Sequence, residues 1–175
     1  MKEFFQLRPD IHFLNHGSFG ATPREVFTAY QNYQRELEVE PVQFMVKQGP
    51  ELIEISKAAL STYLNVDKQD LIFVTNPSTG MNAVIKSLQL KEGDEILSTN
   101  HEYGAVDRTF DFYCKKWGSK LIKQAVPIPM ESDAHFLEEI WNGLTDKTKV
   151  ISISHITSQT ALILPVKEKL MMKKD

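Results

Sequence analysis

Apolar residues fall at helical spacing over the first third of this chain and in short continuous runs after about residue 70. Residues 1–20 read as an extended arm, closed by a turn at Asn15-His16-Gly17-Ser18-Phe19-Gly20. Thr22-Pro23-Arg24-Glu25 then spells a helix start: threonine as cap, proline at the first helical position, and glutamate at the third to complete a capping box. Val26, Phe27, Tyr30, Tyr33 and Leu37 recur near the helical period and predict a buried face. Pro50 opens a second predicted helix, with Leu52, Ile55, Ala59, Leu60 and Tyr63 inward.

Beyond Asp70 the pattern alternates. Leu71–Val74 predicts a buried strand, and 78–90 a helix with Met81, Val84, Ile85 and Leu88 on one face. Gly93-Asp94 turns the chain into a strand at 95–98, followed by a helix over 106–117. A strand at 121–126, a helix at 133–144 and a strand at 150–153 complete the series. Strands alternating with helices predict an α/β domain with a mostly parallel sheet. The change of pattern divides the chain into an arm and helical segment, 1–66, and an α/β part, 67–175.

Open sheets of this class place ligands beyond the C-terminal ends of their strands. Three predicted strand exits are polar and turn-forming: 75–80 (TNPSTG), 99–104 (TNHEYG) and 154–160 (SHITSQT). Falling on one edge, they predict a composite site. The first has the chemistry of an anion site, where free N–H groups at a helix start are joined by the Ser78 and Thr79 hydroxyls. The segment taken alone reads more readily as an ordinary helix cap, since Ser and Thr are simply good caps. In the second, His101 and Tyr103 either cover a planar ligand and move protons or simply pack and bond locally. In the third, hydroxyls and an amide either hold a ligand oxygen or satisfy a tight loop.

Composition narrows the field without choosing among these. Hydrophobic residues make up 42% and charged residues 25%, as in a globular protein, and the net charge of −3 provides no basic field for nucleic acid. No apolar run approaches a membrane span, and the N-terminus lacks a signal-peptide core. The lone Cys114 excludes an internal disulfide framework and fits a reducing compartment, so a cytoplasmic location is expected. Five dispersed histidines offer no metal spacing, and neither a P-loop nor a G-x-G-x-x-G is present.

Taken in order, the blocks resemble a known family. Phe13–Pro23 followed by a long helix is similar to the opening of isopenicillin N epimerase-like proteins, in the class V aminotransferase, cysteine desulfurase-related branch of pyridoxal-phosphate (PLP) enzymes. Thr75–Asn82 is similar to that family's phosphate loop. Gly93–Leu97 with His101–Ala105 resembles its next block, and Ser154–Ser158 with Leu162–Val166 another. The resemblance implies the major domain of an aspartate aminotransferase-like, fold type I enzyme, with PLP as cofactor, an amino acid as substrate and a homodimer in the full-length family. It implies that Ser78 and Thr79 hold the phosphate, and that Tyr103 or His101 stacks on the pyridine ring. Ser158 stands where relatives place an Asn near the phenolic oxygen, and Asn15 and His16 border the substrate pocket. Two positions depart from the family pattern: Pro77 replaces an alanine, and Ala161 stands where relatives usually carry glycine.

In the family, an aspartate for the pyridine nitrogen and the Schiff-base lysine follow the Leu-Pro-Val block. The lysines at 167, 169, 173 and 174 read instead as solvated helix charges. The expectation is therefore the N-terminal part of a PLP-dependent epimerase, lyase or transferase, inactive alone. The alternative is a non-catalytic phosphate-binding α/β domain or scaffold remnant.

Overall fold

The computed structural model describes residues 2–17 and 19–166. Ser18 of the predicted turn and the terminal lysines lie outside the described residues. The chain divides into two compact units at Ile72/Phe73.

The first unit is helical. Its first long helix, α1, runs over Arg24–Val39, and its cap is Pro23 rather than Thr22. Pro23 is extended (φ −57°, ψ 146°) and pairs with Phe5 in an isolated antiparallel bridge, while its carbonyl accepts the Phe27 N–H at 2.9 Å. Helical backbone thus begins one residue later than the capping box requires, and no side chain caps it. The predicted apolar face is not buried either: Val26, Tyr30 and Tyr33 are exposed, and only Phe27 and Leu37 are half-buried. A single turn, α2 (Pro41–Gln43), passes through a wider π-helical turn at Phe44–Gln48 into α3 (Gly49–Leu64). Asn65 ends α3 in the left-handed conformation, a role its short polar side chain tolerates. Of the inward set predicted here, Leu52 and Leu60 are half-buried, whereas Ile55 and Tyr63 are exposed. After α3, Lys68 donates to Glu54 at 3.1 Å, which holds that carboxyl below the usual carboxylate range.

The second unit is α/β. The predicted strand at 71–74 is absent, and Ile72 is 84% exposed. A ladder needs a neighbouring chain to donate and accept its backbone hydrogen bonds; apolar pattern alone cannot supply one. Next come α4 (Pro77–Ser87), β1 (Glu95–Thr99), α5 (Gly104–Trp117), β2 (Lys120–Gln124), α6 (Asp133–Asn142) and β3 (Thr148–Ile151). The strands form a parallel sheet in the order β2-β1-β3. Ile96 of β1 lies beside Leu121 and Val150, and Leu97 beside Ile122 and Ile151.

Alternation along β1 sends these neighbours to opposite faces, and the core divides accordingly. Ile96 packs with Ile85 of α4 and with Phe110 and Cys114 of α5. Leu97 packs with Phe136, Leu137 and Ile140 of α6, and with Val126 and Leu164. The sheet is therefore covered on both sides, and its central strand is buried from Ile96 through Thr99, with the polar Ser98 and Thr99 included. Gly118, left-handed at φ 73°, ends α5, and a Cβ there would lie 3.1 Å from the Glu92 side chain. No helix among the described residues is long and apolar enough to cross a membrane.

Candidate functional site

With β1 central, the chain leaves it through α5 on one face to reach β2, then returns through α6 on the other face to β3. The connections from β1 and into β3 therefore diverge. This is the topological switch point at which doubly wound sheets open a crevice beyond their strand ends. The two walls that flank this point are the exits 100–104 and 152–160, which follow β1 and β3.

A carboxylate that the sequence reading left without a role ties these walls together. Glu102 is only 4% exposed. Its Oε1 accepts the Ser154 N–H at 2.8 Å and the Thr99 hydroxyl at 3.2 Å. Its Oε2 accepts the Ser154 hydroxyl at 2.7 Å, and its main-chain carbonyl accepts Gln159 Nε2 at 3.1 Å. Three of these four bonds fix the β1 exit against the β3 exit, and the fourth, from Thr99, stays within the β1 exit. A sequence signal existed, a lone acid inside a polar exit after an apolar strand, but three of the four bonds come from residues more than fifty positions away.

The two aromatic candidates separate. His101 is 7% exposed, its Nε2 lies 2.8 Å from the Val126 carbonyl, and its N–H donates to the Thr99 hydroxyl. Its ring braces the β1 exit against the β2 exit, where Asn100 Oδ1 also accepts the Val126 N–H at 2.8 Å. Tyr103 is 51% exposed and precedes α5 as its cap residue. Of the pair, Tyr103 is the one with a face available to a ligand.

The third exit folds back on itself. Ile156 and Ile163 form an antiparallel bridge, and the buried Thr157 hydroxyl accepts the Leu162 N–H at 2.9 Å and shares a 2.7 Å bond with Thr160. Ser158 stands exposed at the turn. Ala161 adopts a left-handed φ of 53°, the conformation for which glycine is the default residue.

The first exit begins as a capped helix. Asn76 Oδ1 accepts the Thr79 N–H at 2.8 Å and the Thr79 hydroxyl at 3.1 Å, and Pro77 follows the cap without an N–H to offer. Ser78 is half-buried, and neither its N–H nor its hydroxyl forms a hydrogen bond among the described residues. It is therefore the donor left open at this helix start.

Asn15 and His16 belong to the first unit. There His16 Nδ1 accepts the Ala21 N–H at 3.3 Å, and its ring meets Phe13 edge-on at 4.8 Å and Phe5 at 5.4 Å.

Residues 12–175 match the family model for aminotransferase class V. Isopenicillin N epimerase of Streptomyces clavuligerus is 28% identical over 162 residues, covering 93% of this chain and 41% of that protein. Putative L-cysteine desulfhydrase 1 of Oryza sativa subsp. japonica is 26% identical over 180 residues, covering 95% of this chain and 37% of that protein. Among solved structures, a lysine-to-alanine variant of C-DES, with glycine covalently linked to its PLP cofactor, superposes with a TM-score of 0.84 at 23% identity. That superposition covers 95% of this chain and 43% of C-DES. The chain thus spans about two fifths of the length of the proteins it matches.

Proposed function

This chain belongs to the aminotransferase class V family, and from that premise we propose that it contributes phosphate-holding and ring-facing groups to a PLP-dependent enzyme acting on an amino acid. Epimerisation, carbon–sulfur lysis and transamination all fall within this reading. What carries it is the match over 12–175 taken together with a topological switch point whose two flanking exits are tied to each other by Glu102. The same premise extends to a homodimer, the assembly expected of the full-length family.

The donor set suits a phosphorylated pyridine, with one reservation built into the loop. Ser78 offers an N–H and a hydroxyl at the positive end of α4. Thr79 offers the same pair only if a ligand displaces Asn76. Tyr103 would cover the ring, and the exposed Ser158 hydroxyl would face its phenolic oxygen. His101 would act indirectly, by bracing the loop that carries Tyr103. When bound, PLP supplies an electron sink for the substrate Cα. The chain's own part is to bind, orient and shield.

Few free donors imply weak retention. A helix terminus contributes about 0.3–1 kcal/mol to an exposed anion, and each charge-assisted hydrogen bond about 1.5–3. With the two Ser78 donors these sum to about 3–7 kcal/mol, a dissociation constant between about ten micromolar and a few millimolar. Titration of the chain with inorganic phosphate and then PLP, followed by amide NMR, should move the signals of 76–80. Ser78→Ala should weaken this severalfold and Thr79→Ala less, because the Thr79 hydroxyl is held by Asn76. Ser132→Ala removes a cap at α6, where Ser132 accepts the His135 N–H at 3.1 Å, and should leave phosphate binding intact. Phosphate and PLP that leave 76–80 unmoved would remove the basis for the reading.

A further inference from the structure

The outer side of the α4–α5 pair carries an open groove of about 580 Å³, within the size range of small-molecule sites. A polar contact ties its two sides: the Thr109 hydroxyl of α5 lies 2.6 Å from Asn82 Oδ1 of α4 and 2.9 Å from the Ala105 carbonyl. Asn82 adds its side-chain amide to the lining. Lys86 and Arg108 line the same groove from opposite helices, and neither forms an ion pair among the described residues. The neighbouring acid, Asp107, is taken by Lys123 at 2.7 Å. Phe112, which is exposed, and Tyr113 supply an aromatic wall. The lining thus combines two cations and an amide donor with an apolar surface, and contains no carboxylate.

We propose that the α4–α5 groove is a second binding site, which takes a small organic anion with a flat apolar body: a phosphate or carboxylate held by Lys86, Arg108 and Asn82, and a ring laid on the exposed Phe112, with the Tyr113 ring at right angles beside it. Seven residues separate Thr79, at the head of the groove, from Lys86, about 10 Å along the helix. The anion end of this site therefore lies down α4, away from the Ser78 donors. The inference does not depend on the proposed function. A guanidinium and an ammonium across an apolar floor favour an aryl anion over both inorganic phosphate and a neutral aromatic, because only the aryl anion uses both halves of the lining.

The test is titration of the chain with phenyl phosphate and benzoate, beside inorganic phosphate and benzyl alcohol, followed by NMR of the Asn82 side-chain amide and the Phe112 ring. The aryl anions should shift both signals saturably, and binding should weaken as salt rises. Lys86→Gln and Arg108→Gln should each lower the affinity about tenfold, the loss of one charge-assisted contact. Both side chains are exposed, so these variants should keep the fold. Phe112→Ala should lower aryl phosphate affinity while leaving any inorganic phosphate binding unchanged. The proposal is overturned if the shifts stay within 76–80, if benzyl alcohol binds as well as benzoate, or if the Gln variants bind like the parent. An acidic peptide that binds where no aryl anion does would likewise overturn it, and would mark the groove as a protein-docking surface.

Discussion

Ala161 shows how one backbone angle explains a residue preference that sequence reading could only note. The turn after β3 brings Ile163 back to bridge Ile156, and closing it places residue 161 at φ 53°. An L-residue with a Cβ carries a penalty of roughly 1–2 kcal/mol there, which glycine escapes. Glycine loses part of that advantage, about 0.4–1 kcal/mol, because its unfolded chain is more disordered. Ala161→Gly should therefore stabilise the chain by about 0.5–1 kcal/mol, measured as a shift in the urea midpoint at constant slope. Ala161→Val should destabilise it, since a β-branched side chain fits the left-handed region worst. If the glycine variant were less stable than the parent, the left-handed angle at this turn would not be a source of strain in this chain.

At the scale of elements, the sequence was most legible where one strand or helix buries a face within its own unit. β1, β2, β3, α5 and α6 all appear within a few residues of their predicted bounds, because their apolar positions meet partners in the same sheet sandwich. Legibility failed where an element depends on something outside its own pattern. The run Leu71–Val74 has the composition of a strand and no ladder, and α1 has an apolar stripe that stays exposed. The candidate site divides in the same way. The loops that carry it were recognisable from polar exits, and the anion-or-cap ambiguity at Ser78 and Thr79 resolved into an occupied cap at Thr79 and an open donor at Ser78. Glu102 was invisible as a tie because the serine and glutamine it engages lie far along the chain. Its removal gives the element-scale prediction. Glu102→Ala leaves the Ser154 N–H and hydroxyl without an acceptor, at a cost of about 1–3 kcal/mol. Glu102→Gln keeps one carbonyl oxygen as acceptor and should cost less. Chemical denaturation of both variants measures the order, and an alanine variant within about 0.5 kcal/mol of the parent would mean that the two exits are held by other contacts.

Over the whole molecule, burial is distributed unevenly, and this sets an order of local stabilities. Among the described residues, every fully buried hydrophobic side chain lies between Ile85 and Leu164, all within the second unit. In the first unit, α1 and α3 are sixteen residues each and contain no buried residue. A lone helix of that length is marginal in water, since most helical stability in proteins comes from packing an apolar face. Local opening free energies range from near zero in such segments to the global value in packed core strands. Amide hydrogen exchange on the chain should therefore find slow exchange at Ile96, Leu97 and Ser98, where β1 is paired on both sides and buried. Amides of α1 and α3 should exchange orders of magnitude faster, before any global unfolding. Adding phosphate to occupy the Ser78 donors should raise protection near the start of α4 and leave α1 unchanged, because ligand binding stabilises only the openings that release the ligand. Equal protection of α1 and β1 would show instead that the helical unit draws its stability from cooperative packing that its exposed side chains do not reveal.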